Sequence, residues 1–142
     1  MRNDVAYPGL NVKVIGSHAG LTVGEDGATH QCIEDISLMR TIPGMTVIVP
    51  CDSNEVRLAT KAMLDYNGPA TSESGRPAVR VRNKTALRTI SLRSARGVQL
   101  VDGKNVTIIA CGLMVQEALK ARNCWRRRHQ RQSDRYAHHQ AH

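Results

Sequence analysis

Two short runs of β-branched residues, each followed by a helical pattern, limit most strongly the folds open to this chain. The runs are N-V-K-V-I-G at 11–16 and T-V-I-V-P at 46–50, and the second is the near-continuous apolar type that a parallel sheet buries on both faces. Between them Ile33, Ile36 and Met39 recur every three residues and predict a helix that Thr29 can cap and that stops before Pro43. This order predicts a parallel α/β sheet.

A second helix is predicted after the second strand, because Asp52 and Glu55 form a D-x-x-E start of capping-box type. One face of this helix would carry Val56, Ala59, Met63 and Tyr66. The sequence N-G-P at 67–69 ends it. The following segment, A-T-S-E-S-G-R-P-A-V at 70–79, has the composition of a turn.

The remaining patterns divide the chain into four parts. We predict an incomplete α/β domain at 1–84, a linker at 85–100, the start of a second α/β domain at 101–121, and a disordered basic tail at 122–142. In the third part, V-T-I-I-A-C-G at 106–112 is typical of another buried strand, and a helix starts near Leu113 and includes Val115, Ala118 and Leu119.

Composition excludes some classes of protein. The chain has 142 residues, is 41% hydrophobic and contains no apolar run near the ~20 residues that a membrane span needs, and no signal peptide, so a cytoplasmic protein is expected. The four cysteines form no C-x-x-C pair, which favours buried thiols over a disulfide or a metal site.

The net charge of +8 comes largely from the tail, where residues 121–142 carry six arginines and one aspartate. Together with Trp125 and Tyr136, these arginines could bind nucleic acid, although a basic tail without a recognisable module supports only non-specific contact. The histidines at 138, 139 and 142 could bind a metal, which is the weaker alternative.

The glycine-rich segment S-H-A-G-L-T-V-G-E-D-G-A-T-H-Q at 17–31 carries the candidate site. His18, Glu25, Asp26 and His30 follow a predicted strand and precede a helix, which is where open α/β sheets bind ligands. Imidazoles can donate to phosphate or move protons, a carboxylate can accept from a hydroxyl, and glycines allow close approach of the backbone. A solvent-exposed turn with capping acids is the alternative, so chemistry alone predicts an α/β protein with a possible anion site.

The stretch AYPGLNVKVIGSHAGLTVGEDGATHQCIEDISLMRTIPGMTVIVPCDSNEV resembles transketolase, a thiamine-diphosphate enzyme, over the second half of its pyrimidine-binding domain. The match runs from Val5 to Ala121 and is strongest to family members made as two separate subunits. The motif G-E-D-G-x-T-H-Q is shared with deoxyxylulose phosphate synthase. The S-H-A-G lead-in and the D-G-K-N-V-T-I-I-A-C-G opening of a C-terminal domain favour transketolase.

The resemblance implies a role for four residues in moving a two-carbon ketol unit between sugar phosphates of the pentose phosphate pathway. His18 matches a histidine that helps to hold the sugar phosphate, and Arg76 matches an arginine that clamps the phosphate. Asp26 matches an aspartate that recognises a substrate hydroxyl beside the reacting carbon. His30 matches a histidine that lies over the cofactor and contacts the carbonyl end of the substrate, so His30 and His18 are the candidate catalytic residues.

The resemblance also implies thiamine diphosphate and Mg²⁺ as cofactors and a dimeric enzyme. The family's glutamate that activates the cofactor lies in an A-E-Q-N type segment, which this sequence lacks, as it lacks the aromatic stack on the cofactor's pyrimidine ring. The family's G-D-G segment for metal and diphosphate belongs to another domain. We therefore expect a transketolase-like fragment or subunit that is inactive alone and works only with a chain carrying the diphosphate-binding domain.

Back-translation predicts that the tail is out of frame. Residues 129–140 can be encoded by bases that, read one base later, give I-N-A-R-V-I-D-M-H-T-I, which resembles a strand and loop of the transketolase C-terminal domain. Read one base earlier, codons for A-T-S-E-S at 70–74 can give C-H-L-R-I, which resembles the family's strand before G-R-P. A truncated, non-enzymatic remnant is therefore the rival hypothesis, and a basic nucleic-acid-binding polypeptide is a weaker one.

Overall fold

The computed structural model describes residues 1–79 and 98–139, with side chains up to residue 126. Three parallel strands, β1 (Lys13–Ser17), β2 (Thr46–Ile48) and β3 (Ala70–Ser74), form one sheet in the order β1-β3-β2. The helices are α1 (Asp35–Arg40), α2 (Ser53–Asp65) and α3 (Met114–His139), with a π-helical turn at Arg2–Ala6 and a 3-10 turn at Leu21–Val23. The predicted parallel α/β fold is confirmed.

The central strand β3 corrects the prediction of a turn at 70–79. Its residues pair on both sides, with Ala70 opposite Lys13 of β1 and Thr46 of β2. Pairing with two neighbours buries the segment despite its polar composition, and Thr71 is only 1% exposed. Composition indicates only the local backbone propensity of a segment. Here hydrogen bonds to two flanking strands outweigh that propensity and make the segment a strand.

Helix α1 is shorter than predicted. It starts at Asp35, and Ile33, which was placed on its apolar face, is 73% exposed and lies before it. Thr29 does not cap the helix, because its hydroxyl hydrogen-bonds to the His30 ring at 3.0 Å. The segment 29–34 forms turns and bends, and the Cys32 N–H donates to the His30 carbonyl at 2.9 Å instead of to a carbonyl four residues earlier, so the helix cannot start before it.

Helix α2 confirms the capping signal at its start. The Asp52 carboxylate accepts from the Glu55 backbone N–H at 2.9 Å, and the Glu55 carboxylate accepts from the Cys51 backbone N–H at 2.7 Å. On the predicted apolar face, Ala59 and Met63 are 0% and 2% exposed and pack into the core. This small core leaves much apolar surface uncovered on the described part of the chain.

The strand predicted in the C-terminal part is wrong. The segment 106–112 is not a strand, because no described strand pairs with it, and Ile109 is 93% exposed. At its end, the Gly112 N–H donates to the Val49 carbonyl at 3.1 Å. The described residues of the expected second α/β domain therefore contribute helix α3 but no strand.

Helix α3 includes the backbone of the tail up to His139, and the disorder expected for 122–142 stays a prediction. The physical reason for the helix is composition: no glycine or proline occurs from 113 to 142, and alanine, arginine and glutamine favour helix. The predicted linker lies mostly outside the described residues, since 85–97 fall in the undescribed range, as does His142.

No helix in the described ranges is long and apolar enough to cross a membrane. All four cysteines are free thiols. Cys32 and Cys51 are half-buried, whereas Cys111 and Cys124 are exposed, against the prediction of buried thiols.

Candidate functional site

The site is built at the carboxyl edge of the sheet, where β1 and β3 end side by side. Ser17 and Ser74 are opposite each other in the parallel register, so the loops that follow both strands leave the sheet together. The Ala19 N–H donates to the Ser74 carbonyl at 3.2 Å and ties the two loops at their origin. This edge is the position at which open α/β sheets bind ligands.

An ion pair joins the two loops further out. Arg76 Nη1 donates to Asp26 Oδ2 at 2.9 Å, and the same nitrogen donates to the Val23 carbonyl at 2.9 Å. The side chains of Arg76 and Asp26 are 41% and 46% exposed, so solvent reaches the pair. The structure therefore brings together two predicted substrate-binding residues that are fifty positions apart in the sequence.

The first loop is held by its own backbone. Val23 is 2% exposed and anchors the loop in the core, while the Gly20 N–H donates to the Cys32 carbonyl at 3.0 Å and closes the loop base. Gly24 has φ 79°, and its carbonyl accepts a hydrogen bond from the Gly27 N–H at 3.1 Å. These left-handed glycines form the turns that present Asp26 toward the second loop.

His18 directly follows β1 and has an unusual backbone. Its φ is 70°, and it is the one non-glycine residue with positive φ among the described residues. Its ring Nδ1 is 2.8 Å from the Ser17 hydroxyl, and the side chain is exposed. A non-glycine residue held in the left-handed region is uncommon and often belongs to a functional site.

His30 lies at the other end of the same loop and is also exposed. Its ring Nδ1 is 3.0 Å from the Thr29 hydroxyl, and its backbone N–H donates to the Gly27 carbonyl at 3.0 Å. The described hydrogen bonds thus join Asp26 to Arg76, whereas each histidine ring bonds to the residue before it. Both rings remain accessible to a ligand.

Glu73 is a charged residue near this edge that sequence reasoning missed. It is 7% exposed on β3, and its Oε2 has no hydrogen-bond partner in the described part of the chain. The pKa of Glu73 is raised from 4.5 to about 7. The largest cause is burial, followed by the hydrogen bond to Asp35 and the negative charge of Asp35. No sequence pattern indicated this pair, because 70–74 was predicted to be a turn.

A cavity of about 370 Å³ opens beside the end of β3. It is lined by residues 50–53, Val56, Ser74, Gly75, residues 77–79 and Leu113. Within it, burial and the hydrogen bond to Glu55 raise the pKa of Cys51 to about 12, so this residue stays a neutral thiol near neutral pH. The cavity is mostly apolar and offers volume for part of a ligand rather than a nucleophile.

The described residues offer no group of three or more His, Cys, Asp or Glu side chains that could hold a metal ion. The predicted substrate-binding residues at this edge instead offer one guanidinium and two imidazoles as hydrogen-bond donors and one carboxylate as an acceptor. Such a set suits an anionic, hydroxylated ligand, because arginine and imidazole donate to phosphate oxygens and a carboxylate accepts from a hydroxyl.

Comparison with known proteins identifies the family of this chain. Residues 1–78 match the model of the transketolase pyrimidine-binding domain. The chain is 44% identical over 121 residues to a protein of Methanocaldococcus jannaschii provisionally named transketolase C-terminal section, which covers 85% of this chain and 38% of that protein. It is 46% identical over 118 residues to a 6-deoxy-6-sulfo-D-fructose transketolase subunit of a Clostridium species, covering 82% of this chain and 35% of that one.

A similar solved structure is a split-gene transketolase described as an inactive β4 tetramer. The TM-score is 0.74 with 38% identity, and the match covers 89% of this chain and 40% of the other. The chain therefore spans less than half the length of these relatives.

Proposed function

Because this chain belongs to the transketolase family through its pyrimidine-binding domain, we propose that it forms the substrate-recognition part of a transketolase completed by a second chain. The observation that carries the proposal is the contact of Arg76 with Asp26 at 2.9 Å, at the shared carboxyl edge of β1 and β3. A guanidinium can donate to a phosphate and a carboxylate can accept from a hydroxyl, so this contact supports a site for a sugar phosphate.

Four side chains divide the work of binding. Arg76 and His18 donate hydrogen bonds to the substrate phosphate, and Asp26 accepts a hydrogen bond from a substrate hydroxyl. His30 lies on the exposed end of the loop and donates to the carbonyl end of the substrate, where charge develops during ketol transfer. The Thr29 hydroxyl, 3.0 Å from its Nδ1, helps to orient the ring.

Thiamine diphosphate, when bound in the assembled enzyme, supplies the carbanion chemistry of ketol transfer. The described residues do not fit the metal-binding part of that cofactor, since they form no cluster of metal ligands. We assign thiamine diphosphate and Mg²⁺ mainly to the chain that carries the diphosphate-binding domain.

A second chain is also supported by the relatives. One is named as a section of a transketolase and another as a subunit of one. The similar solved structure, described as a β4 tetramer, is called inactive. We therefore expect this chain to assemble with a partner chain into a multimer, with a dimer of two-chain units as the simplest arrangement.

We expect the isolated chain neither to bind thiamine diphosphate tightly nor to turn over sugar phosphates. The reason is that the metal and diphosphate ligands lie on the partner. Calorimetric titration with thiamine diphosphate and Mg²⁺, together with a coupled ketol-transfer assay, measures both properties. Saturable micromolar binding with turnover by this chain alone would contradict the two-chain proposal.

In the assembled enzyme, Arg76→Ala is expected to raise KM for phosphorylated sugars about tenfold or more, the loss of one charge-assisted contact. His18→Ala should act in the same direction, whereas His30→Ala should lower kcat with a smaller change in KM. Arg57→Ala, an exposed arginine on α2, is the matched control and should change neither constant. If Arg76→Ala weakened phosphorylated and unphosphorylated sugars equally, the phosphate role would be wrong.

A non-enzymatic remnant is the second candidate, and one observation favours it. A parallel strand buried on both faces is normally apolar, yet β3 buries Thr71, Ser72 and Glu73. The shifted reading of 70–74 would place Leu at the position of Ser72 and Ile at that of Ser74. Sequencing the gene tests it, because bases that give C-H-L-R-I and I-N-A-R-V-I-D-M-H-T-I in the shifted frames support the remnant.

A further inference from the structure

We propose that Asp26 acts as a positioning residue for Arg76 and not only as a contact for a substrate hydroxyl. By holding one nitrogen of the guanidinium, Asp26 leaves the opposite edge of the group free to receive a phosphate. The inference rests on the proposed function, since it assigns the free edge of Arg76 to the phosphate of the sugar.

The geometry of the ion pair carries the inference. Both contacts of Arg76 use the same atom: Nη1 donates to Asp26 Oδ2 at 2.9 Å and to the Val23 carbonyl at 2.9 Å. Nη1 has two hydrogens, and these two acceptors use both of them. Nε and Nη2 carry the other three N–H groups of the fork and have no acceptor among the described residues.

An arginine held in this way is prepared for an anion. The Nε and Nη2 edge matches two oxygens of a phosphate, which is the bidentate arrangement that makes arginine selective for such groups. A bidentate pair with Asp26 would have covered an edge of the fork, whereas the observed pair is monodentate through Nη1. The carboxylate therefore holds the group and does not fill the phosphate position.

The Val23 carbonyl, which is the second acceptor of Arg76 Nη1, lies on a rigid part of the loop. Val23 is 2% exposed, so its carbonyl is fixed by a buried side chain, and the loop that carries Asp26 is closed by the Gly20–Cys32 backbone hydrogen bond of 3.0 Å. Arg76 itself lies on a half-exposed surface, where a long side chain would otherwise sample many rotamers. Holding one end of the guanidinium lowers the entropy lost when phosphate binds.

Holding Arg76 requires an acceptor oxygen at position 26, but it does not require a negative charge there. A carboxylate beside the phosphate also repels it, so the charge opposes binding while the hydrogen bond favours it. Asn at position 26 keeps the acceptor and removes the charge, whereas Ala removes both. The two substitutions therefore separate positioning from charge.

The experiment titrates the full chain with inorganic phosphate and follows the Arg76 Nε–H signal by ¹H–¹⁵N NMR. We expect Asp26→Ala to weaken phosphate binding about fivefold to tenfold and to broaden the Nε–H signal, because the side chain is no longer held. Asp26→Asn should bind phosphate at least as tightly as the unmodified chain and keep a sharp signal. Asp65→Asn, which neutralises an exposed acid at the end of α2, is the matched control and should behave as the unmodified chain.

The other outcomes separate the two proposals. If Asp26→Ala and Asp26→Asn both tightened phosphate binding, Asp26 would be a competitor for Arg76 and the positioning role would be wrong. If neither substitution changed phosphate affinity, or if Asp26→Asn were as weak as Asp26→Ala, the positioning role would also be wrong while a phosphate site remained. If the unmodified chain and the assembled enzyme failed to prefer phosphorylated ligands, the proposed function itself would fail.

Discussion

Glu73→Gln is expected to stabilise the protein at pH 8 and to remove most of the pH dependence of its stability between about pH 5 and 8. Glu73 is 7% exposed, has an oxygen without a partner in the described residues, and faces the carboxyl of Asp35. Above its raised pKa this side chain must hold a negative charge inside the central strand. Glutamine is neutral at every pH and has nearly the same volume.

The direction of this pH dependence follows from the number of protons that the folded and unfolded states bind. Burial and Asp35 raise the pKa of Glu73 to about 7 in the folded state, above the ordinary 4.5, so the folded state binds more protons between these values. Stability is therefore highest below about pH 4.5 for this group and falls as pH rises through about 7. At about 1.4 kcal/mol per pKa unit, the free energy of unfolding falls by a few kcal/mol.

Urea unfolding monitored by circular dichroism at several pH values between 5 and 8 measures the effect. Glu25→Gln removes an exposed carboxylate and should leave the pH profile as it is in the unmodified chain. The assignment would be refuted by an unmodified chain with constant stability over this range, or by Glu73→Gln that is less stable at pH 8. Either result would mean that Glu73 reaches solvent or a partner when charged.

The second large effect concerns the uncovered apolar surface. Val106, Ile108 and Ile109 are 77%, 58% and 93% exposed in a segment that pairs with no described strand, and Ile15 on β1 is 65% exposed. Contiguous exposed apolar groups mark sites of association. We expect the purified chain to self-associate, and we expect Ile109→Lys to raise the dissociation constant about tenfold or more, since burying one isoleucine stabilises by about 1.5–3 kcal/mol.

Sedimentation velocity across a range of chain concentrations measures this association. Thr107→Lys is the matched control, because it adds the same charge in the same exposed segment without removing apolar area. Its effect on association should be much smaller than that of Ile109→Lys. A chain that stays monomeric at high concentration, or equal effects of the two lysines, would show that this segment is not an association surface.

The patterns along the chain determined the family, the parallel α/β class and the elements with strong local signals. The strand at 46–48 lies within the predicted run at 46–50, and the strand at 13–17 overlaps the predicted run at 11–16. The D-x-x-E start of α2 forms hydrogen bonds of the expected capping type. These features depend on neighbouring residues, so they can be recognised without knowledge of the rest of the fold. The same holds for the loop motif that contains His18, Asp26 and His30.

Only the tertiary structure decided what depends on contacts between distant segments. The polar residues 70–74 became the central strand because β1 and β2 pair with them on both sides, and the apolar residues 106–112 stayed exposed because no described strand does so. The strand order β1-β3-β2 places Arg76 next to Asp26, and burial between β3 and α1 sets the pKa of Glu73. Local propensity carries no information about which strands become neighbours, and those neighbours fixed both the core and the geometry of the site.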